Sequence, residues 1–173
     1  NETQKDEDGY DLFQPKWKVD CNELSYRKDK EGKKIPYATP PGPSELIGTP
    51  VLYEGKVYCA IGQDPEHGDG VGRLSCIDPS SGQVLWKYND VGRTISTASV
   101  HEGLVYIAEY AGMIHCLDAE TGKLYWTHDS FSRIWGSTLV ADDKVLLGNE
   151  DGDLLILDHG KEKPEVKTVN MGA

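Results

Sequence analysis

The 173-residue chain contains no run of eighteen apolar residues, so no helical membrane span is expected. No long helical pattern appears. No secretory signal is visible at Asn1, a state that a mature or trimmed product would share. None of the four cysteines, Cys21, Cys59, Cys76 and Cys116, has C-x-x-C spacing, which argues against a zinc ribbon and against a dithiol redox motif. Positive charge is scarce: 18 Lys and Arg against 29 Asp and Glu leave a net charge of −11. That disfavours a general nucleic-acid binder, which needs basic surface to displace counterions. The one basic cluster, Arg27, Lys28, Lys30, Lys33 and Lys34, is interleaved with Asp29, Glu31 and Gly32 and reads as a solvated loop. What the chain does have is 19 Gly and 9 Pro, hence many tight connections, and 38 % hydrophobic residues, an ordinary content for a soluble domain with a core.

It also has a repeat. CIDPSSGQVLWKY (76–88) and CLDAETGKLYWTH (116–128) share Cys, Asp, Gly and Trp, so that Asp78, Gly82 and Trp86 recur as Asp118, Gly122 and Trp126 after 40 residues. A third copy beginning near Asp158 decays: Glu162 replaces the glycine and Val166 the tryptophan. Upstream of each copy lie two further apolar runs, KVYCAIG, LVYIAEY and KVLLGNE, preceded by GTPVLYEG, STASVHEG and GSTLVADD. Four short runs per repeat, divided by Gly and Asp, predict a four-stranded antiparallel meander. A repeat of about 40 residues with four strands is the size of a propeller blade. Ala111-Gly112 and Asp151-Gly152 suit two-residue type I′ hairpins. That register sets Ile107 opposite Cys116, Leu147 opposite Ile156 and Cys59 opposite Cys76. Free buried thiols and a Cys59–Cys76 cross-strand disulfide both remain open, while Cys21 is expected to be unpaired.

The spacing Asp–x–x–Ser/Thr–Gly–x–x–x–Trp resembles the tryptophan-docking motif of quinoprotein-type, PQQ-like repeat β-propellers, and the likeness runs over residues 48–160. The resemblance implies an all-β propeller of four-stranded antiparallel blades. It also implies that the Trp of each outer strand packs between neighbouring blades, which makes Asp78, Gly82, Trp86, Asp118, Gly122 and Trp126 structural. On the same ruler, residues 1–20 are a tail and the outer strand of a preceding blade, with Trp17 in the motif position. Residues 21–47 are an inserted Pro-rich and basic linker, and 48–90, 91–130 and 131–173 are three complete blades. Three blades do not close a ring, since propellers have four to eight. The chain is therefore expected to be a fragment of a longer propeller or to close by pairing with copies of itself.

Linkers between blades and loops between second and third strands share one end of a propeller, here called the top. The loop GQDPEHGDGVG (62–72) is longer than its equivalents and holds Asp64, Glu66, His67 and Asp69, oxygen-rich ligands of the kind Ca²⁺ takes, or else a solvated or partner-contacting loop. The acidic turn at Glu150, Asp151 and Asp153 is a weaker version of the same pattern. Arg93 and Arg133 recur 40 residues apart in the linkers, with Glu45 in that place in the first blade. Thr49, Ser96, Thr97, Ser137 and Thr138 follow on the inner strands. Arg93 and Arg133, with Trp135, Thr97 and Thr138, form a candidate ligand site near the channel mouth: a guanidinium fork suits carboxylates or sugar hydroxyls, and an indole stacks on a planar group. The competing reading pairs each Arg with a linker carboxylate, Asp90 or Asp129.

The family includes PQQ-dependent dehydrogenases and non-enzymatic members such as an outer-membrane assembly lipoprotein and PQQ-binding-like repeat proteins. Its enzymes carry an adjacent cysteine pair, a Ca²⁺-binding acidic set and a catalytic Asp; no Cys-Cys pair occurs here. The expectation is a non-catalytic module binding a protein, glycan or small molecule on its top face, without a cofactor. Part of a PQQ- and calcium-dependent alcohol or sugar dehydrogenase, and a scaffold beside an enzymatic domain, are the alternatives. The resemblance suggests the periplasm or cell surface.

Overall fold

Each apolar run bracketed by turn residues forms a strand. In the computed structural model, which describes residues 4–12, 14–36 and 42–172, β1 (Gln4–Lys5) and β2 (Asp11–Leu12) pair as a small N-terminal hairpin, and a four-residue helix, α1 (Leu24–Arg27), follows. Three four-stranded antiparallel meanders come next. The first sheet is β3 (Val51–Tyr53), β4 (Lys56–Ile61), β5 (Arg73–Ile77) and β6 (Val84–Tyr88). The second is β7 (Ser99–His101), β8 (Leu104–Ala108), β9 (Met113–Asp118) and β10 (Leu124–Asp129). The third is β11 (Leu139–Ala141), β12 (Lys144–Gly148), β13 (Asp153–Asp158) and β14 (Val166–Asn170). Inner strands β3, β7 and β11 lie side by side, so the sheets are successive blades of an incomplete β-propeller.

Stacking explains the sequence pattern. Strands β5 and β8 are buried at every position, because each has a packed layer on both faces; β8 reads as an unbroken apolar run, whereas β5 buries Arg73 and Ser75 among its apolar residues. Outer strand β6 has one wet face and alternates. One apolar layer joins the first and second sheets through Tyr58, Leu74, Val105 and Ile107. Another joins the second and third through Tyr106, Ile114, Leu147 and Leu157. A third layer covers the free face of the first sheet: Trp17, Val19 and Cys21 lie on Cys59, Ile61 and Ile77. Full burial of an apolar side chain of this size stabilises by about 1.5–3 kcal/mol, so these layers outweigh exposed ion pairs such as Lys144–Asp158, which water screens. Residues 14–20, expected as the outer strand of a preceding blade, form no strand and pair with no sheet.

The motif residues have visible mechanical roles. Asp118 opens the β9–β10 turn: its carboxylate accepts from Glu120 N, Thr121 N, Thr121 Oγ1 and Tyr125 Oη. Asp78 does the same with Ser80 and Ser81. Gly122 closes the turn at φ 72°, where its bare Cα faces an indole; a Cβ there would fall 2.5 Å from the Trp86 ring. The indole N–H of Trp86 donates to Ala119 O at 3.0 Å, that of Trp17 to Pro79 O at 2.9 Å and that of Trp126 to Gly160 O at 3.0 Å. Each Trp therefore reaches into the third-to-fourth-strand turn of the next sheet, and Trp17 treats the first sheet as Trp86 treats the second.

The register differs from the expected one by a residue. Tyr106 faces Cys116, Ile107 faces His115 and Leu147 faces Leu155. The cause is the loop. Glu109 N donates to Met113 O and Gly112 N to Glu109 O, which is a three-residue connection over Tyr110-Ala111-Gly112 with only Gly112 in the left-handed region, at φ 113°. Asn149 to Asp153 repeats it around Gly152, at φ 77°. Cys59 consequently faces Ser75, and Cys76 faces Tyr58, on opposite faces of the sheet; the Cys59–Cys76 disulfide is excluded and all four cysteines are free and buried. Cys21 is unpaired as expected, although its Sγ lies 3.5 Å from Cys59 Sγ.

Candidate functional site

At the top end, linker backbones are stitched to the middle loops. Tyr110 N donates to Arg93 O, Ile134 N to Tyr110 O and Glu150 N to Arg133 O, so the two arginines occupy equivalent positions. Their side chains converge on one ring. The Arg93 guanidinium carbon stands 4.4 Å from the Tyr110 centroid and that of Arg133 5.7 Å away, while Trp135 meets Tyr110 edge-on at 5.0 Å and 90°. Electron-rich ring faces attract guanidinium groups by about 0.5–1 kcal/mol when exposed and more when desolvated.

Neither arginine uses the expected linker carboxylate. Arg93 Nη1 donates to Gly68 O at 2.6 Å and lies 3.8 Å from Asp69, so the long 62–72 loop folds onto it. Arg133 lies 3.7 Å from Glu150. Asp129 instead accepts from Phe131 N, and that hydrogen bond holds Phe131 at φ 55° with its ring outward. The displayed surface is Phe131, Trp135 and Arg133.

The Ser and Thr residues of the inner strands serve the ring. Thr49 N donates to Thr97 Oγ1, Thr97 N to Ser137 Oγ, and Ser96 Oγ to Gly136 O, a ladder that crosses both sheet boundaries. Thr138 is buried, with its hydroxyl on Tyr106 O and Ser99 Oγ. Thr97 and Thr138 are thus engaged in contacts between neighbouring sheets. In the 62–72 loop, Asp64 accepts from Glu66 N and meets His67 Nδ1 at 2.6 Å, capping a 3₁₀ turn at Pro65–His67. Asp64, Glu66, His67 and Asp69 do not gather three ligand atoms around one point; among the described residues the group that does is His101, Glu102 and His159.

Two features escaped the sequence reading. Tyr110 is the hub of the site, yet an aromatic directly after a buried strand reads as core. Beneath it runs a buried chain: Gly92 N donates to Glu109 Oε1, which lies 2.7 Å from His115 Nε2, and His115 Nδ1 lies 3.0 Å from Tyr88 Oη. Burial, with the charges of Asp90 and Glu109, pushes the Tyr88 phenol up to about 12. His115, 3 % exposed, Tyr88 and Glu109 are all buried, so the chain holds sheets together and offers no accessible nucleophile. Burial likewise pushes the Cys116 thiol up to about 12, which leaves it unreactive at neutral pH.

Comparison with known proteins gives the lineage. No curated protein matches the chain in sequence. Among solved structures, BamB from Moraxella catarrhalis superposes with a TM-score of 0.57 at 21 % identity, over 72 % of this chain and 37 % of that one. The quinohemoprotein alcohol dehydrogenase of Comamonas testosteroni gives 0.58 at 22 % identity, over 72 % of this chain and 21 % of the enzyme. A europium-containing methanol dehydrogenase gives 0.56 at 19 % identity, over 72 % and 26 %. This chain thus spans well under half the length of these relatives, and at such identities the likeness establishes the propeller fold alone. The family model described as outer membrane protein assembly factor BamB matches residues 70–163, over half of the sequence, and the chain belongs to that family of PQQ-like repeat propellers.

Proposed function

We propose that the chain is a non-catalytic propeller segment that binds a protein through its top face. The observation that carries this reading is the linker before the third sheet: Phe131 is 89 % exposed, Trp135 53 % exposed, and the Arg133 side chain 61 % exposed. Aromatic and arginine side chains dominate the energetic centres of protein interfaces. Tyr110 beneath them restricts Trp135 and Arg133, which lowers the ordering cost of binding. The indole contacts are read as the family's docking motif, with one blade each in 48–90, 91–130 and 131–173 and a preceding outer strand and linker in 1–20 and 21–47. The rest of its own propeller, or another copy, supplies the remaining blades. Family membership supports a periplasmic or cell-surface location.

The alternative is part of a PQQ-dependent dehydrogenase, favoured by the fold likeness to a quinohemoprotein alcohol dehydrogenase and a methanol dehydrogenase. The described residues do not fit PQQ with Ca²⁺. Asp64 and Asp69 are engaged by His67 and Arg93, and the one converging ligand set is rich in imidazole rather than oxygen. A photo-crosslinking residue at position 135 of the full-length protein, expressed in its own cell envelope, should give a discrete protein adduct that Arg133→Ala and Phe131→Ala weaken. Protection of that position by glycans alone would replace the protein ligand with a sugar. Dye reduction with alcohols or sugars after loading with PQQ and Ca²⁺ would overturn the non-catalytic reading.

A further inference from the structure

At the end of the propeller opposite the aromatic patch, the boundary between the second and third sheets departs from the repeat on both sides at once. His101 ends β7, where the first sheet has Tyr53 and the third Ala141. Glu102 follows in the tight turn at φ 42°. His159 sits just after β13, where the first and second sheets have Pro79 and Ala119. Two histidines thus replace unrelated residues at positions 58 apart in sequence that face each other across one boundary. One nitrogen or oxygen from each of His101, Glu102 and His159 lies within 4.8 Å of the others. His159 Nε2 is 3.9 Å from Glu102 Oε2, and the two imidazole rings meet at 5.1 Å and 64°.

We propose that His101, Glu102 and His159 form a binding site for a late first-row divalent cation, Zn²⁺ above all, that clamps the second sheet to the third. Two imidazoles and one carboxylate are a zinc donor set, with a fourth position left for water or a partner's ligand. Tetrahedral zinc with bonds of about 2.0–2.2 Å needs donors roughly 3.3–3.6 Å apart. The 3.9 Å gap between His159 and Glu102 closes by rotating Glu102, whose side chain is 69 % exposed. The outer contacts are built as well. Tyr106 Oη lies 2.9 Å from His159 Nδ1 and accepts from Gly160 N at 3.1 Å. At the preceding boundary the equivalent Tyr58 hydroxyl donates to Ala119 O instead. Tyr106 thus fixes the His159 ring through Nδ1 and leaves Nε2 directed at Glu102, as a zinc-bound histidine requires.

The test is calorimetric titration of the metal-stripped full chain with ZnCl₂, alongside CoCl₂ spectroscopy. One Zn²⁺ per chain is expected, with visible cobalt bands of a four-coordinate nitrogen–oxygen site. Affinity should fall about tenfold or more in Glu102→Gln, further in His101→Ala, and stay unchanged in His67→Ala. Zinc should raise the melting temperature of the parent chain and not that of Glu102→Gln. Glu102 is exposed, so this variant keeps its fold even where a histidine replacement does not. Absence of stoichiometric zinc binding, or binding that survives both Glu102→Gln and His101→Ala, would reduce the trio to an interblade contact and overturn the proposal.

Discussion

The two sheet boundaries share a backbone plan and differ in what fills their ends. Between the first and second sheets, the top end holds the buried Tyr88–His115–Glu109 chain. Between the second and third, the equivalent positions are His128, Leu155 and Asn149; Asn149 turns to cap its own loop by accepting from Asp153 N, and a cleft of about 200 Å³ opens beside them. At the bottom the polarity reverses: Ala119 of the first boundary becomes His159 of the second, and an imidazole pair appears. The apolar centre and the indole-on-turn contact persist while polar groups migrate from one end to the other. The repeat secures adhesion between blades, and the ends are free to acquire separate tasks.

The largest effect should come from removing an indole. Trp126 is 5 % exposed and Trp86 only half-buried, so Trp126→Ala should cost about 3–5 kcal/mol in urea unfolding and Trp86→Ala clearly less. Equal losses would show that both boundaries rely on the indole alike. Next comes the polar chain. His115→Leu gives the first boundary the residue that the second carries in Leu155, yet strands Glu109 and the Tyr88 hydroxyl. The expected cost is about 2–4 kcal/mol, and Glu109→Asn added to His115→Leu should restore much of it, because an unpaired buried carboxylate is worse than none. Failure of the second substitution to rescue would mean that the imidazole acts by volume alone.

A glycine pair isolates the contact between turn and indole. Gly103 and Gly122 have φ of 76° and 72°, but a Cβ at Gly103 meets nothing within 4 Å and one at Gly122 meets Trp86 at 2.5 Å. Alanine at either position carries the left-handed strain, about 1–2 kcal/mol. Gly122→Ala should cost about 1–3 kcal/mol more, the price of displacing the ring. Thermal melts of the two variants side by side would measure that difference.

These contrasts also show what could be read from residues alone. The 40-residue period of Asp, Gly and Trp located the sheets and the turns, because a glycine at positive φ and an indole donor have few substitutes. Register was out of reach by one residue: a final Gly suits both the two-residue and the three-residue hairpin, and only the φ of Ala111 separates them. That slip placed Cys59 against Cys76. In the candidate site, Arg93 and Arg133 were visible as a pair 40 residues apart, with Trp135 beside the second. Tyr110 was not, since a buried strand's aromatic neighbour carries no mark of function. His101 and His159 were invisible as a pair because their contact exists only across a sheet boundary, where a linear motif has no spacing to show.

The smallest effect tests the two turns against each other. The Asp118 carboxyl is held below the ordinary range chiefly by the Tyr125 hydroxyl, with Thr121 adding to it against the opposing pull of burial. Asp78 is lowered by the hydroxyls of Ser81 and Ser80, and Leu85 stands where the second turn has Tyr125. A carboxyl whose folded pKa lies below its unfolded value of about 3.9 stabilises the fold above that value, and the contribution disappears as pH falls through the folded pKa. Tyr125→Phe makes the second turn donate as the first does. Carboxyl-carbon NMR should then show Asp118 titrating closer to the ordinary range with Asp78 unmoved, and the stability loss at pH 7 should be about 1 kcal/mol and shrink below pH 4. An unmoved Asp118 would assign its depression to Thr121 and the turn backbone, making the two turns electrostatically equivalent.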